Sequence, residues 1–280
     1  KINKCVEGAL HNAGSLFTLE ESFEQTDRRI MINVLFVGES WMFETTEYKG
    51  VDKFTISGYQ TATEWIEKAF NYEGFSFTHI PCHEVDTKFP VTLEELQKYD
   101  VVMFSDVGSN TFLLGSETFY AGKICVNKLE LVKEYVEKGG AFAMIGGYLT
   151  FQGIEGRGRY HNTPIEEILP VEILPYDDRV ELPQGYQIRV ENGSHSVLNG
   201  IPSVWPPILG YNKLKAKEHA NVIAHRGEDA LVTLGSYGEG RTLAYATDCS
   251  PHWSSPEFCE WEYYGALWRN LSTWLAKKEQ

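Results

Sequence analysis

The sequence predicts an α/β fold: a doubly wound, mostly parallel sheet with helices on both faces and a β insertion at one edge. Three observations carry this. Short segments that are apolar at nearly every position recur, as in "INVLFVG" (32–38), "VVMFSD" (101–106) and "AFAMIGG" (141–147); strands buried on both faces read this way. Segments with helical spacing lie between them. Near the C-terminus, "NVIAH", "ALVTLGSYGEG" and "GRTLAYATD" read as an antiparallel β pair joined at 238–240.

The elements follow in order. Residues 1–30 are polar and precede Met31, so they are expected to be an N-terminal extension, and 31–280 the domain. The alternative is a helix over 18–26 packed on the body. After the first strand, "GYQTATEWIEKAFNYEG" (58–74) predicts a helix with Ala62, Trp65, Ile66 and Ala69 on one face. "FSFTHIP" (75–81) alternates like a strand, and Thr92 with Glu95 forms a capping box for a short helix. "NKLELVKEYVEKGG" (127–140) is an amphipathic helix stopped by two glycines. The proline-rich stretch 164–186 covers an edge, within an insertion expected over 151–205. "GYQIRVENGSHSVLNGIP" (185–202) reads as a strand and a turn, with His195 bracing the turn. The last segment predicts one helix, capped by Ser254 and Glu257 with Pro256 near its start. Its stripe of Trp261, Leu267, Trp268, Leu271, Trp274 and Leu275 reads as core.

Composition narrows the function classes. A formal net charge of -14 repels phosphate backbones and anionic lipid surfaces. Neither nucleic acid nor a membrane is therefore an expected partner. No stretch approaches the ~18 apolar residues of a membrane span. Five widely spread cysteines suit a reducing cytoplasm better than a disulfide framework.

In an open α/β sheet, ligands bind beyond the carboxyl ends of the strands. That rule gathers "GESW" (38–41), "DVGSN" (106–110), "GGYLTFQ" (146–152) and "DCSPHW" (248–253) along one edge. The candidate pocket residues are accordingly Trp41, Gly108, Gly147, Tyr148, Gln152, Asp248, Cys249 and Trp253. Glu39 is a candidate general base or hydroxyl binder, and His252 with Glu39 or Asp106 a candidate acid–base pair. Trp41 and Trp253 can stack on a sugar ring. In "FQGIEGRGRYH", Arg157 and Arg159 are candidates to clamp a carboxylate or phosphate, with His161 as a cap or ligand contact. The glycine spacing of that loop is not a dinucleotide fingerprint, so no nicotinamide cofactor is expected. Cys249 and His252 make C-x-x-H, but the further ligands that zinc needs have no clustered motif, so no metal is expected. Cys249 is read as a small buried residue rather than a nucleophile.

The phrases "GGYLTFQGIEG", "RYHNTPIEEILPV", "HSVLNGIP" and "TDCSPHW" resemble the class I glutamine amidotransferase-like superfamily. The nearest branch is the family called putative glutamine amidotransferases, related to the trehalose-utilisation-like proteins. The resemblance covers most of 31–276 and implies a flavodoxin-like fold. It also implies where a glutaminase triad would stand. The nucleophilic cysteine on the strand-to-helix turn is replaced by Tyr148, whose hydroxyl lacks a thiolate's nucleophilicity. His252 matches the histidine, but the carboxylate two residues beyond is replaced by Ser254. Gly108 keeps a backbone N–H for an oxyanion hole. Glutaminase activity is therefore expected to be absent, with Tyr148 a binding residue whose hydroxyl points into the pocket.

Three functions are compatible with these residues. One is a catalytically silent module that binds a small polar metabolite or a partner in the ancestral pocket. The second is a hydrolase or isomerase acting on a carbohydrate-like substrate. The third is a structural subunit of a homo-oligomer, to which "VWPPILGY" (204–211) would suit a contact. Geometry separates them. An enzyme needs His252 and carboxylates converging in one pocket, a binding module needs a polar pocket without a proton-transfer pair, and a structural subunit needs Tyr148 filling the cavity.

Overall fold

The computed structural model describes residues 31–190 and 195–279; the expectation for 1–30 lies outside them. The central sheet has seven strands, in the spatial order Asn221–Arg226, Asp229–Tyr237, Gly240–Tyr245, Ala141–Ile145, Val101–Ser105, Ile32–Gly38 and Phe75–Ile80. In chain order these are β1 Ile32–Gly38, β4 Phe75–Ile80, β5 Val101–Ser105, β6 Ala141–Ile145, β11 Asn221–Arg226, β12 Asp229–Tyr237 and β13 Gly240–Tyr245. β12 runs antiparallel to both its neighbours, and every other pairing is parallel. The fold is thus the α/β, flavodoxin-like arrangement that the sequence predicts. β5 and β6 are buried at every position. That accounts for their unbroken apolar runs, since helices cover both faces.

Three helices supply most of the cover. In α1, Glu64–Phe70, the inward face is Ile66, Ala69 and Phe70. In α2, Lys128–Glu137, the Asn127 side chain accepts from the N–H groups of Leu129 and Glu130, and Leu129, Val132, Tyr135 and Val136 are buried. In α3, Tyr264–Leu275, Leu267, Trp268, Leu271 and Leu275 are buried. The capping box at Thr92 and Glu95 is formed.

Other expectations are corrected. The helix starts at Glu64, not Gly58; residues before it belong to a hairpin of β2, Ser40–Lys49, and β3, Asp52–Thr61. This ribbon is exposed along nearly its whole length, so it has no buried face to impose an alternating pattern. The last segment is two helices, Pro256–Cys259 and α3. Ser255, not Ser254, is the cap, its hydroxyl accepting from Phe258 N–H. Pro256 holds the first helical position, and a residue before proline avoids helical backbone, so the cap is the adjacent serine. The insertion runs past residue 205 through β7 Val171–Ile173, β8 Arg179–Arg189, β9 Val204–Asn212 and β10 Leu214–Ala216. β8 pairs with β9 and β7 with β10, all antiparallel. The 204–211 segment is thus a strand, with Trp205, Ile208 and Tyr211 buried.

Topology positions the site. From β1 the chain goes to β4 on one side, then crosses to β5 on the other. This is the switch in strand order where open α/β sheets form a crevice. Gly38, Ser105, Ile145 and Tyr245 stand in register across β1, β5, β6 and β13. Four adjacent strands therefore release their chains at one level. Two glycines make room there: a Cβ on Gly38, whose φ is +111, would run into the Ser105 carbonyl, and one on Gly146 into the Ala246 carbonyl.

Candidate functional site

One residue beyond β1 and β5, Glu39 and Asp106 take left-handed backbone, with φ of 49 and 44. Such a conformation costs a non-glycine residue about 1 kcal/mol or more and persists only where the surroundings impose it. Here Glu39 N–H donates to the Ser105 carbonyl at 2.8 Å, turning the side chain back over the strand ends. Asp106 Oδ1 accepts from Leu149 N–H at 2.7 Å, joining the loops after β5 and β6. Tyr148, expected at a strained strand-to-helix turn, is not among the left-handed residues, and no helix follows it directly.

A cavity of about 410 Å³ opens over these ends, lined by Glu39, Trp41, Asp106, Tyr148, Asp248, Ser250, Pro251 and His252. Three carboxylates and one imidazole face it, and no lysine or arginine is among its lining residues. His252 Nδ1 lies 3.4 Å from Asp248 Oδ2, which leaves Nε2 as the nitrogen turned away from that partner. The hydrogen bond to Asp248 holds the His252 ring protonated to higher pH than usual. Burial, then the charge of Asp248, pushes the Asp106 carboxyl up to about 6.

Ser250 links the acids. Its Oγ lies 3.1 Å from Glu39 Oε1 and 3.1 Å from Asp248 Oδ1. A hydroxyl donates one proton. With both carboxylates ionised, one of these contacts would set lone pair against lone pair. A proton on Glu39 resolves the conflict: Glu39 donates to Ser250, and Ser250 donates to Asp248. Burial, then the charges of Asp248 and Asp106, raise the Glu39 carboxyl well above its ordinary range. The Ser105 hydroxyl donates to the other Glu39 oxygen at 2.6 Å. Glu39, Ser250, Asp248 and His252 thus form a connected path from a buried acid to a partly exposed imidazole.

The remaining candidates are distributed around this core. Trp41 is 41% exposed and forms one wall. The Tyr148 ring presents its edge to His252, with centroids 4.5 Å apart, and carries the Arg179 guanidinium over it at 5.1 Å. Its hydroxyl donates to Glu181 Oε1 at 3.3 Å rather than pointing into the cavity. Trp253 is not a stacking platform. It is 1% exposed, pressed against Gly210, and donates from Nε1 to Glu181 Oε2 at 3.0 Å. Arg157 is not among the cavity's lining residues; its guanidinium pairs with Glu155 at 2.6 Å on the surface. Arg159 is exposed, with left-handed backbone and a carbonyl that accepts from Ser109 Oγ. The loop is anchored by the fully buried Phe151 and Tyr160, while the side chains of Arg157 and Arg159 between them are exposed. His161 pairs with Glu166, Gln152 accepts from His161 N–H, and Gly108 precedes the short helix Ser109–Leu113. Gly147 touches the site through its backbone, held from both sides by the Asn212 amide. His195 Nδ1 accepts from Val197 N–H and braces the turn as expected.

Cys249 is fully buried, 3.9 Å from Glu39 Oε2 and 3.5 Å from Ser105 Oγ. Burial pushes its thiol well up, away from the reactive thiolate. Glu39, Asp248 and Cys249 bring donor atoms within 4.8 Å of one another. Burial favours the protonated forms of Glu39 and Cys249, so a cation bound there would have to displace those protons. Sequence reasoning missed Ser250, although it lies within a quoted motif, and Arg179 and Glu181. The latter two come from β8, distant in sequence and without a local motif.

Among the described residues no helix is long and apolar enough to cross a membrane. Known proteins share this architecture. The chain is 43% identical to Cytoplasmic Protein STM3548 from Salmonella typhimurium, with a TM-score of 0.83 over 86% of this chain and 98% of that one. Cytoplasmic Protein STM1381 from Salmonella typhimurium LT2 is also 43% identical, with a TM-score of 0.83 over 87% and 99%. A ThuA-like protein from Bacteroides uniformis shares the fold at 12% identity, with a TM-score of 0.53 over 89% and 93%. No curated protein matches the chain. The sequence profile of the family described as putative glutamine amidotransferase matches residues 33–277, and the chain belongs to that family.

Proposed function

We propose that this chain is an acid–base enzyme, a hydrolase or isomerase, acting on a small, neutral, hydroxyl-rich substrate of carbohydrate type, and that it has no glutaminase activity. The observation that carries the reading is the Glu39–Ser250–Asp248–His252 path at the wall of an open cavity. Groups whose environments drive their proton affinities apart divide the roles of acid and base. Asp106, pushed up to about 6, is the base near neutral pH. His252, held protonated by Asp248, is the acid, and Glu39 is the proton reserve behind it. A silent binding module would not need such a pair, and the cavity that Tyr148 leaves open speaks against a purely structural subunit. Three carboxylates without a lining guanidinium disfavour phosphates and carboxylates, while hydroxyl groups find acceptors and Trp41 offers a ring face. The missing triad, a buried Cys249 and a Tyr148 hydroxyl engaged by Glu181 argue against amide hydrolysis. A cytoplasmic location is supported by the names of the two Salmonella relatives and by four free cysteines among the described residues.

The test is a panel of sugars, sugar alcohols and lactones, with glutamine included, read by thermal shift and by product formation. A neutral polyol-type compound is expected to raise the melting temperature and to turn over. His252→Gln and Asp106→Asn should each lower turnover by about 10²- to 10⁴-fold while keeping the shift. Glutamine-dependent ammonia release, or turnover within tenfold of wild type in both variants, would overturn the reading.

A further inference from the structure

His252 stands in the cavity wall with one polar tether, Nδ1 at 3.4 Å from Asp248 Oδ2. A single tether sets a distance but leaves the plane of the ring free. Two other rings set the plane. Trp253 stacks on the imidazole, with centroids 5.4 Å apart and an interplanar angle of 17°. Tyr148 meets it edge-on, at 4.5 Å and 90°. The two flanking rings also touch each other, at 5.7 Å.

These rings are held differently. Trp253 is buried and pressed against Gly210, so the core immobilises it. Tyr148 is half-buried at the cavity edge, and charged groups of β8 hold it instead. Glu181 joins the two: Oε2 accepts from Trp253 Nε1 at 3.0 Å, and Oε1 accepts from the Tyr148 hydroxyl at 3.3 Å. Arg179 lies over the Tyr148 ring and is itself held by Asp177, with Nε to Oδ1 at 2.9 Å and Nη2 to Oδ2 at 2.7 Å. The rigidity of a buried tryptophan thus reaches a tyrosine at the rim through one carboxylate. We propose that Glu181 is a positioning residue for His252: it ties Tyr148 to Trp253 and so fixes the imidazole between their rings. The charged groups about the imidazole are Asp248 from its own loop, Asp106 from the loop after β5 and Glu181 from β8, with Arg179 over the Tyr148 ring. The catalytic half of this inference rests on the reading of His252 as the acid; the placement of the ring does not.

The experiment follows the His252 ring by nuclear magnetic resonance through a pH titration of the full chain, its signal being the one lost in His252→Gln. Wild type is compared with Glu181→Ala and Glu181→Gln. Glu181→Gln removes the charge but keeps both contacts, since its amide oxygen accepts from Trp253 and its NH₂ donates to the Tyr148 hydroxyl. The Glu181 side chain is half-exposed, so both variants should keep wild-type circular dichroism. In wild type the ring should hold its proton above the ordinary value of 6.5, because Asp248 bonds to it. Glu181→Ala should bring the midpoint down toward 6.5, and Glu181→Gln should stay nearer to wild type. On a compound that turns over, Glu181→Ala should lower kcat by about 10- to 100-fold with KM within about threefold, and Glu181→Gln should recover most of the loss. Tyr148→Phe cuts the same link from the other end, so adding it to Glu181→Ala should cost little more. An unmoved midpoint in Glu181→Ala, an equal displacement in both Glu181 variants, a loss confined to KM, or additive losses in the double variant would each overturn the proposal. The titration needs no substrate. A wild type that turns over nothing would therefore fail the activity reading, while the ring still decides for or against Glu181.

Discussion

A proton held on Glu39 ties the site to pH. Its carboxyl is raised from an ordinary value of 4.5, so its contribution to stability is full below that value and is lost as pH climbs through the raised value in the folded chain. Glu39→Gln keeps a neutral donor toward Ser250 and an acceptor for Ser105, but has nothing to ionise. The expected outcome is a melting temperature close to wild type at about pH 5, and an advantage over wild type that widens by several degrees toward about pH 8. Thermal unfolding across that range checks it, and parallel curves would remove the buried proton from the account. Glu39, Asp106, Asp248 and His252 were legible in the sequence because strand ends are legible, and the sheet edge collects whatever follows them. The orientations of Arg157 and Trp253 were not legible, for the complementary reason. Sequence order says which loop a side chain belongs to but not which way it turns: Arg157 turned to the adjacent Glu155, and Trp253 to Glu181 on the sequence-distant β8.

Among elements, the loop after β6 shows how the insertion serves the site. Four residues within 151–162 have left-handed backbone outside glycine. Asp178, just before β8, holds this loop: Oδ2 accepts from Gln152 N–H and Oδ1 from Gly153 N–H, both at 2.9 Å, and Asn212 donates to Oδ1 at 2.8 Å. Burial still wins over these donors and pushes the Asp178 carboxyl up to about 6. Asp178→Asn relieves the buried charge, but its amide NH₂ must face a backbone N–H on one side or the Asn212 amide and a backbone N–H on the other. A lost acceptor in a buried network costs about 1–3 kcal/mol, so the variant is expected to melt lower by several degrees at neutral pH despite carrying less charge. Calorimetry decides it, and a gain in stability would mean that the charge, not the acceptor geometry, dominates. The long apolar strands and α2 were legible because each buries a continuous or periodic face. The β2–β3 ribbon was not, because neither of its faces is covered. Its one local signal is the left-handed Gly50 followed by Val51 between the strands, the spacing of a two-residue hairpin loop.

At the scale of the molecule, strand order and surface charge act together. The crossing from β4 to β5 places Glu39 beside Asp106, which is why three acids share one cavity. The same acidity extends to the surface, where a net charge of -14 opposes association of two copies. Salt then separates two kinds of interface. The screening length shrinks from about 10 Å at ~0.1 M to about 3 Å at ~1 M, so repulsion between the two acidic bodies fades, while an apolar contact does not weaken. An interface built on ion pairs would respond the other way. For any association of two copies through apolar surface, the dissociation constant is expected to fall by about tenfold or more on going from ~0.1 M to ~1 M sodium chloride. Sedimentation of the full chain at the two salt concentrations measures it. Weakening with salt would place such an association among the surface charges instead.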